Sequence, residues 1–372
     1  MKNTIITAAL LSMSFIIGYA QPESARKVQV AILFDTSNSM DGLIDQAKSR
    51  IWNIVNEVST LTYNGQTPGV EFALYQYGND GLSSTNNYIQ QVLKLTSDLD
   101  EISQKLFALR TNGGSEYCGA VIGRSLSDLG WSSNPNDLKM IYIAGNESFA
   151  QGPVDYKEEC KKAMARGIFI NTIYCGNYDQ GIKELWEDGA KCSSGDYFNI
   201  DSNKEIAHIA TPYDKEINLY NDSLNNTYYG YGAFGMEKKS MQMEEDANAM
   251  DMNMAVATER SVAKSKKQVY SNSSWDLIDA IDEGQKDINE MEDSELPEEF
   301  RGKTTEEKKI LLDTKRKERE QYQDKIAELA MKREAFIKEE IKKRAEVGEE
   351  TDDFGTSVNE GIMNKAVQMG YQ

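Results

Sequence analysis

Asp35, Ser37 and Ser39 stand at alternating positions immediately after an apolar run of strand length, residues 28–34. One carboxylate and two hydroxyls so spaced can converge on a single point just past the end of a strand. Ligands that are all oxygen suit a hard divalent cation such as magnesium, manganese or calcium. Ser and Asp are also ordinary turn residues, so the motif gains its meaning from its surroundings. Two more oxygen-bearing loops lie downstream: Thr111-Asn112-Gly113-Gly114-Ser115-Glu116, and Asn146-Glu147-Ser148 after the apolar run 138–144.

These loops must be positioned by regular elements, and the hydrophobic pattern supplies them. Residues 28–34, 70–77, 88–93, 138–144, 167–175 and 197–200 read as strands. Residues 43–61, 98–109, 116–129, 155–166 and 179–189 read as helices, the first with Ile44, Ala47, Ile51, Ile54, Val55 and Val58 on one face. Such alternation predicts an α/β fold, a doubly wound and mostly parallel sheet flanked by helices, with one antiparallel edge strand from the 70–93 hairpin. Sheets of this kind bind ligands outside the carboxyl ends of their strands. All three loops follow strands or lie in the crossover between them, so they reach one rim.

The Asp35-x-Ser37-x-Ser39 motif resembles the first loop of the metal-ion-dependent adhesion site of the von Willebrand factor type A (VWA) family. In that family a Thr in a Gly-rich loop and an Asp ending a later strand complete the site. Ser115 stands where the family's Thr follows the glycines, keeping the hydroxyl. The segment Met140-Ile-Tyr-Ile-Ala-Gly-Asn-Glu-Ser148 departs more seriously, because Ala144 and Gly145 occupy the Thr and Asp positions. Either Asn146 or Glu147 substitutes, or affinity is reduced, or the loop is kept only for its turn geometry. The resemblance implies a modified metal site of Asp35, Ser37, Ser39, Ser115 and Asn146, with Asp35 acting through water. It implies Mg2+ as cofactor, or another divalent cation (Mn2+ or Ca2+). It covers residues 26–213, about half of the chain.

The first twenty residues read as an export signal: Lys2, an apolar core from Ile5 to Ile17, and Gly18-Tyr19-Ala20 before a cleavage point. An uncleaved anchor is the alternative. The formal charge is −19, or −20 without Lys2, and there is one His. So acidic a chain is a poor nucleic-acid binder. Four cysteines, Cys118, Cys160, Cys175 and Cys192, all fall before residue 213. In an exported protein they allow two disulfides in three pairings, with buried free thiols as the alternative. No C-x-x-C occurs.

Residues 214–270 shift to Asn, Tyr, Gly and Met, including Met241-x-Met243 and Met250-x-Met252-x-Met254. They read as a flexible linker, with soft copper(I) ligation by the thioethers as the lesser alternative. Residues 271–372 form a helical C-terminal region. A short amphipathic helix is expected over 275–291, and a long charged one over about 304–347, capped by Thr304 or Thr305. The stripe Tyr322, Ile326, Leu329, Phe336, Ile337 and Ile341 gives the long helix weak coiled-coil character.

Catalysis finds little support. His208, beside Ile206 and Ile209, is a structural residue on this reading, no triad can be built without it, and no phosphate loop occurs. The expected function is an exported, periplasmic or secreted protein-interaction module, adhesive or scaffolding. It binds a protein partner through the rim, with or without a divalent cation bridging to an acidic side chain. The alternative is a metal-independent envelope scaffold with a vestigial site. The mature chain is expected to have no transmembrane span.

Overall fold

A computed structural model of the chain describes residues 26–41, 43–200, 209–347 and 354–372. The export segment 1–20 and His208 lie outside the described residues. Among the described residues one sheet of six strands is present, ordered β3-β2-β1-β4-β5-β6. Its strands are β1 (Lys27–Asp35), β2 (Gly69–Tyr77), β3 (Ile89–Thr96), β4 (Leu138–Gly145), β5 (Ile168–Cys175) and β6 (Tyr197–Ile200). All neighbours are parallel except β2 and β3, which form the antiparallel hairpin at one edge.

Six of the seven residues 28–34 are apolar and the seventh, Gln29, is also buried, which makes β1 a strand buried on both faces, as the centre of a parallel sheet requires. Val28, Val30, Ile32 and Phe34 enter one core, which α1 (Ile44–Val58) covers with Ile51, Ile54, Val55 and Val58. The side chains of Ile44 and Ala47 lie outside the described residues. Ala31 and Leu33 enter the opposite core. There α3 (Cys118–Asp128) and α4 (Tyr156–Ala165) pack, while α2 (Leu99–Ala108) joins the first core. The helix expected over 179–189 is two short ones, α5 (Tyr178–Lys183) and α6 (Trp186–Lys191). They are separated by Leu185, which is left-handed at φ 69°.

The stretch 214–270 is not a flexible linker. It forms α7 (Asp214–Asn225), α8 (Gly235–Met252) and α9 (Met254–Lys264). Buried charge holds these helices down. Arg260 reaches Asp100 of α2 at 2.5 Å and Asp246 of α8 at 2.7 Å, and Lys264 reaches Asp246 at 2.6 Å. Within the expected helix 275–291 only α10 (Leu277–Asp282) is helical, with Asp276 as its N-cap; left-handed Gly284 follows it.

The long helix α11 (Thr305–Glu346) begins at a capping box formed by Thr304 and Glu307. It lies along α7, tied by Arg319 to Asp276 and Asp279 (both 2.8 Å) and by Arg333 to Asp214 (2.8 Å) and Glu259 (2.6 Å). A last helix, α12 (Phe354–Gln368), returns to the sheet, burying Phe354, Val358, Ile362 and Ala366 in the α1-side core. Tyr371 donates to Lys27 O at 2.9 Å and accepts from Leu138 N at 3.3 Å. The helical C-terminal region thus does not stand apart from the sheet: its last residues close it at the start of β1 and β4. No described helix is long and apolar enough to cross a membrane.

Candidate metal centre

Strand order reverses between β1 and β4, so the crevice at their carboxyl ends is the natural ligand site. Asp35 ends β1 and Gly145 ends β4, and the register pairs Phe34 with Ala144. Asp35 is fully buried and Ser37 is 1% exposed. Asp35 Oδ1 accepts from Ser37 N at 2.8 Å, which folds the loop back over the strand end. The Ser37 and Ser39 hydroxyls are 2.7 Å apart. Two oxygens at right angles on one magnesium ion would be about 3 Å apart, so these hydroxyls are spaced as neighbouring ligands.

The third loop turns Asn146 inward. Its Oδ1 accepts from Ser39 Oγ at 2.8 Å and its Nδ2 donates to Ser39 O at 3.0 Å. Glu147 is exposed at the rim, and its carbonyl accepts from Trp186 Nε1 at 2.7 Å. Gly145 has no room for the family's Asp. A Cβ there would lie 2.7 Å from Tyr77 Oη, 3.0 Å from Trp186 and 3.2 Å from Asp35 Cβ.

Backbone bonds fasten the Gly-rich loop to the first: Asn38 N to Gly113 O at 2.7 Å, and Asn112 N to Thr36 O at 3.0 Å. Thr111 Oγ1 donates to Asp41. Ser115 is half-buried in this loop, and among the described residues no hydrogen bond joins its hydroxyl to Ser37 or Asp35. The structure thus brings Asp35, Ser37, Ser39 and Asn146 together and leaves Ser115 beside them.

Sequence reasoning missed Glu116. It reads as the acidic first residue of a helix, a routine arrangement. Here α3 starts two residues later, and Glu116 is only 5% exposed. Asp35 Oδ1 and Glu116 Cγ both lie within 2.7 Å of where a Gly78 Cβ would sit, so only glycine fits at that position. Burial and the charge of Glu116 hold the Asp35 carboxyl well above the usual carboxylate range, against the hydrogen bonds from Ser37. Burial pushes Glu116 up to about 7, against its hydrogen bond with Ser37 and helped by the charge of Glu147.

Asp35 Oδ2 and Glu116 Oε2 are buried without a hydrogen-bond partner, and no Lys or Arg among the described residues pairs with either. This donor set fits a hard divalent cation: orphaned carboxylate oxygens, two converging hydroxyls and an amide oxygen. No group of three or more His, Cys, Asp and Glu converges among the described residues, so a cation here depends on the hydroxyl and amide oxygens as well.

Beneath the site, Cys118 and Cys175 are buried free thiols, both pushed up by burial. Cys160 and Cys192 form a disulfide between α4 and the end of α6.

Similar solved structures include BatB of Bacteroides thetaiotaomicron, at 16% identity and TM-score 0.36, covering 47% of this chain and 90% of that one. Proximal thread matrix protein 1 of the mussel byssus, with a zinc-occupied MIDAS motif, is 13% identical at TM-score 0.36, covering 48% and 43%. The pilus adhesin SpaC of Lactobacillus rhamnosus GG is 12% identical at TM-score 0.37, covering 49% and 29%. The matches therefore span less than half of the mussel and Lactobacillus chains. No curated protein matches the chain. Its residues 29–212 match the family described as von Willebrand factor type A domain. Those residues form the doubly wound sheet and carry all three rim loops, and through them the chain belongs to the VWA family.

Proposed function

We propose that the chain is an exported, non-enzymatic protein-interaction module that binds a protein partner at the rim formed by the carboxyl ends of β1 and β4. A divalent cation at that rim would be held by Asp35, Ser37, Ser39 and Asn146, with Ser115 reaching it as the loops close. Its role there is charge: it would cancel the buried carboxylates, fasten the three loops, and offer an open position to an acidic side chain of the partner. The observation that carries this reading is the orphaned, buried Asp35 Oδ2 beneath two converging hydroxyls. Export is supported by residues 1–20 and by the Cys160–Cys192 disulfide, which suits an oxidising compartment such as the periplasm or the exterior.

Titrating magnesium, manganese and calcium into the mature chain tests the cation by calorimetry and thermal shift. Detectable but modest binding is expected, abolished by Asp35→Ala with Ser37→Ala. A chain that none of the three ions stabilises at millimolar concentration would sink the cation reading.

One observation favours a second reading, a metal-independent envelope scaffold. The space a third carboxylate would need at Gly145 is filled by Tyr77 and Trp186. In that case the rim would be an ordinary polar contact surface, and the long helix α11 would contribute to assembly.

A further inference from the structure

We propose that Glu116 is a carboxylate ligand of the rim cation and supplies the charge that position 145 has no room to carry; this rests on the cation reading above. Glu116 follows Ser115 at the end of the Gly-rich loop, and its side chain lies across the floor of the site. A Cβ on Gly114 would sit 2.6 Å from Glu116 Oε1 and 2.7 Å from Ser37 Cβ. A Cβ on Gly78 would meet Glu116 Cγ and Asp35 Oδ1 at once. The two glycines open the channel through which this one carboxylate reaches the hydroxyl of Ser37 and the flank of Asp35.

Ordinary structural roles for a buried Glu are excluded in turn. It does not cap α3, whose N-terminus has no side-chain cap. Only its backbone N–H, not its carboxylate, engages Gln151, at 2.8 Å. It forms no ion pair with a described Lys or Arg, and its Oε2 is buried without a partner. A buried carboxylate with no counter-charge, and with one of its oxygens lacking any hydrogen bond, is strongly unfavourable. Two side by side are worse, unless something positive lies between them. Exposed Ser39 and half-buried Asn146 close the solvent side of the same space with neutral oxygens.

Hard-cation affinity rises with the number of charged ligands. With Asp35 and Glu116 both facing the ion, the chain holds it without help from a partner, and the partner's acidic group adds afterwards. The loss at Gly145 is then a relocation of charge from the third loop to the second.

Manganese binding to the full mature chain, followed by calorimetry at pH 8, tests the assignment. Glu116→Gln, nearly identical in shape, is expected to weaken binding by about tenfold or more. The same substitution is expected to raise the melting temperature of the metal-free chain, because it removes an uncompensated buried charge. Wild type that binds manganese while Glu116→Gln binds as tightly overturns this proposal and leaves the cation reading standing. Weaker binding with a lower metal-free melting temperature marks a merely structural carboxylate and overturns it too. No binding by wild type overturns both.

Discussion

Gly145 shows how a single missing side chain is fixed by its neighbours. Tyr77, buried on β2, donates its hydroxyl to Ala144 O at 3.0 Å across the end of the sheet. Trp186 packs edge-on against Phe149 and Tyr174. Together they fill the volume into which any Cβ at 145 would project. Restoring the family's residue by Gly145→Asp is therefore expected to destabilise the chain by about 1–3 kcal/mol through overpacking, without strengthening cation binding. Urea unfolding and manganese titration of the variant check both parts. Tighter binding at unchanged stability would show that the pocket yields. That the loops carrying Asp35, Ser37, Ser39 and Asn146 reach one rim was legible from their spacing and from the strands before them; whether Asn146 or Glu147 turns inward was not. Glu116 was not, because a Glu at the head of an apolar helix reads as dipole complementarity. Only the burial of its carboxylate distinguishes the two.

Among the elements, those with a strong apolar period were legible and those held by charge were not. The apolar residues 28–34, broken only by Gln29, read as a buried strand, and Thr304 and Thr305 marked the start of α11. The helices α8 and α9 escaped notice for a physical reason. What they bury includes Gln242, Glu245, Thr258, Arg260, Ser261 and Lys264. An apolar stripe is what periodicity detects, and polar residues matched to polar partners leave none. The same chemistry makes these helices vulnerable at one point. Arg260 is 1% exposed and faces Asp100 and Asp246 at once, with its guanidinium over the Trp52 ring. Removing one partner of a buried pair strands the others, so Arg260→Ala is expected to cost about 3–5 kcal/mol. Chemical denaturation measures this directly. A loss below about 1 kcal/mol, as for an exposed pair, would mean that water reaches the network.

Across the whole molecule, the VWA domain and the helices after it meet at a charged junction of α1, α9 and α11, and this sets a pH signature. Asn56 of α1 donates to Glu259 of α9 at 2.6 Å, and Arg333 of α11 donates to the same carboxylate at 2.6 Å. Lys266 donates to Asn56 O at 2.9 Å. Burial, then the charge of Glu334, pushes the Glu57 carboxyl up to about 6, against Lys266 and Lys338. Burial pulls Lys266 down to about 8, against Glu259 and Glu57. Between the ordinary carboxyl value near 4.5 and about 6, the native chain keeps a proton at Glu57 that the unfolded chain has released, so stability falls as pH rises through that window. Between about 8 and 10.5 the unfolded chain keeps a proton at Lys266 that the native chain has lost, so stability rises with pH there. The junction therefore contributes a trough of stability across pH 6–8. Glu57→Gln should remove its acid limb and Lys266→Met its alkaline limb. The check is urea unfolding of wild type and both variants at pH 5, 7 and 9. The difference between wild type and Glu57→Gln must change between pH 5 and 7. A difference that is flat throughout would mean that Glu57 titrates as an exposed carboxylate, with α11 lifted away from α1 in solution.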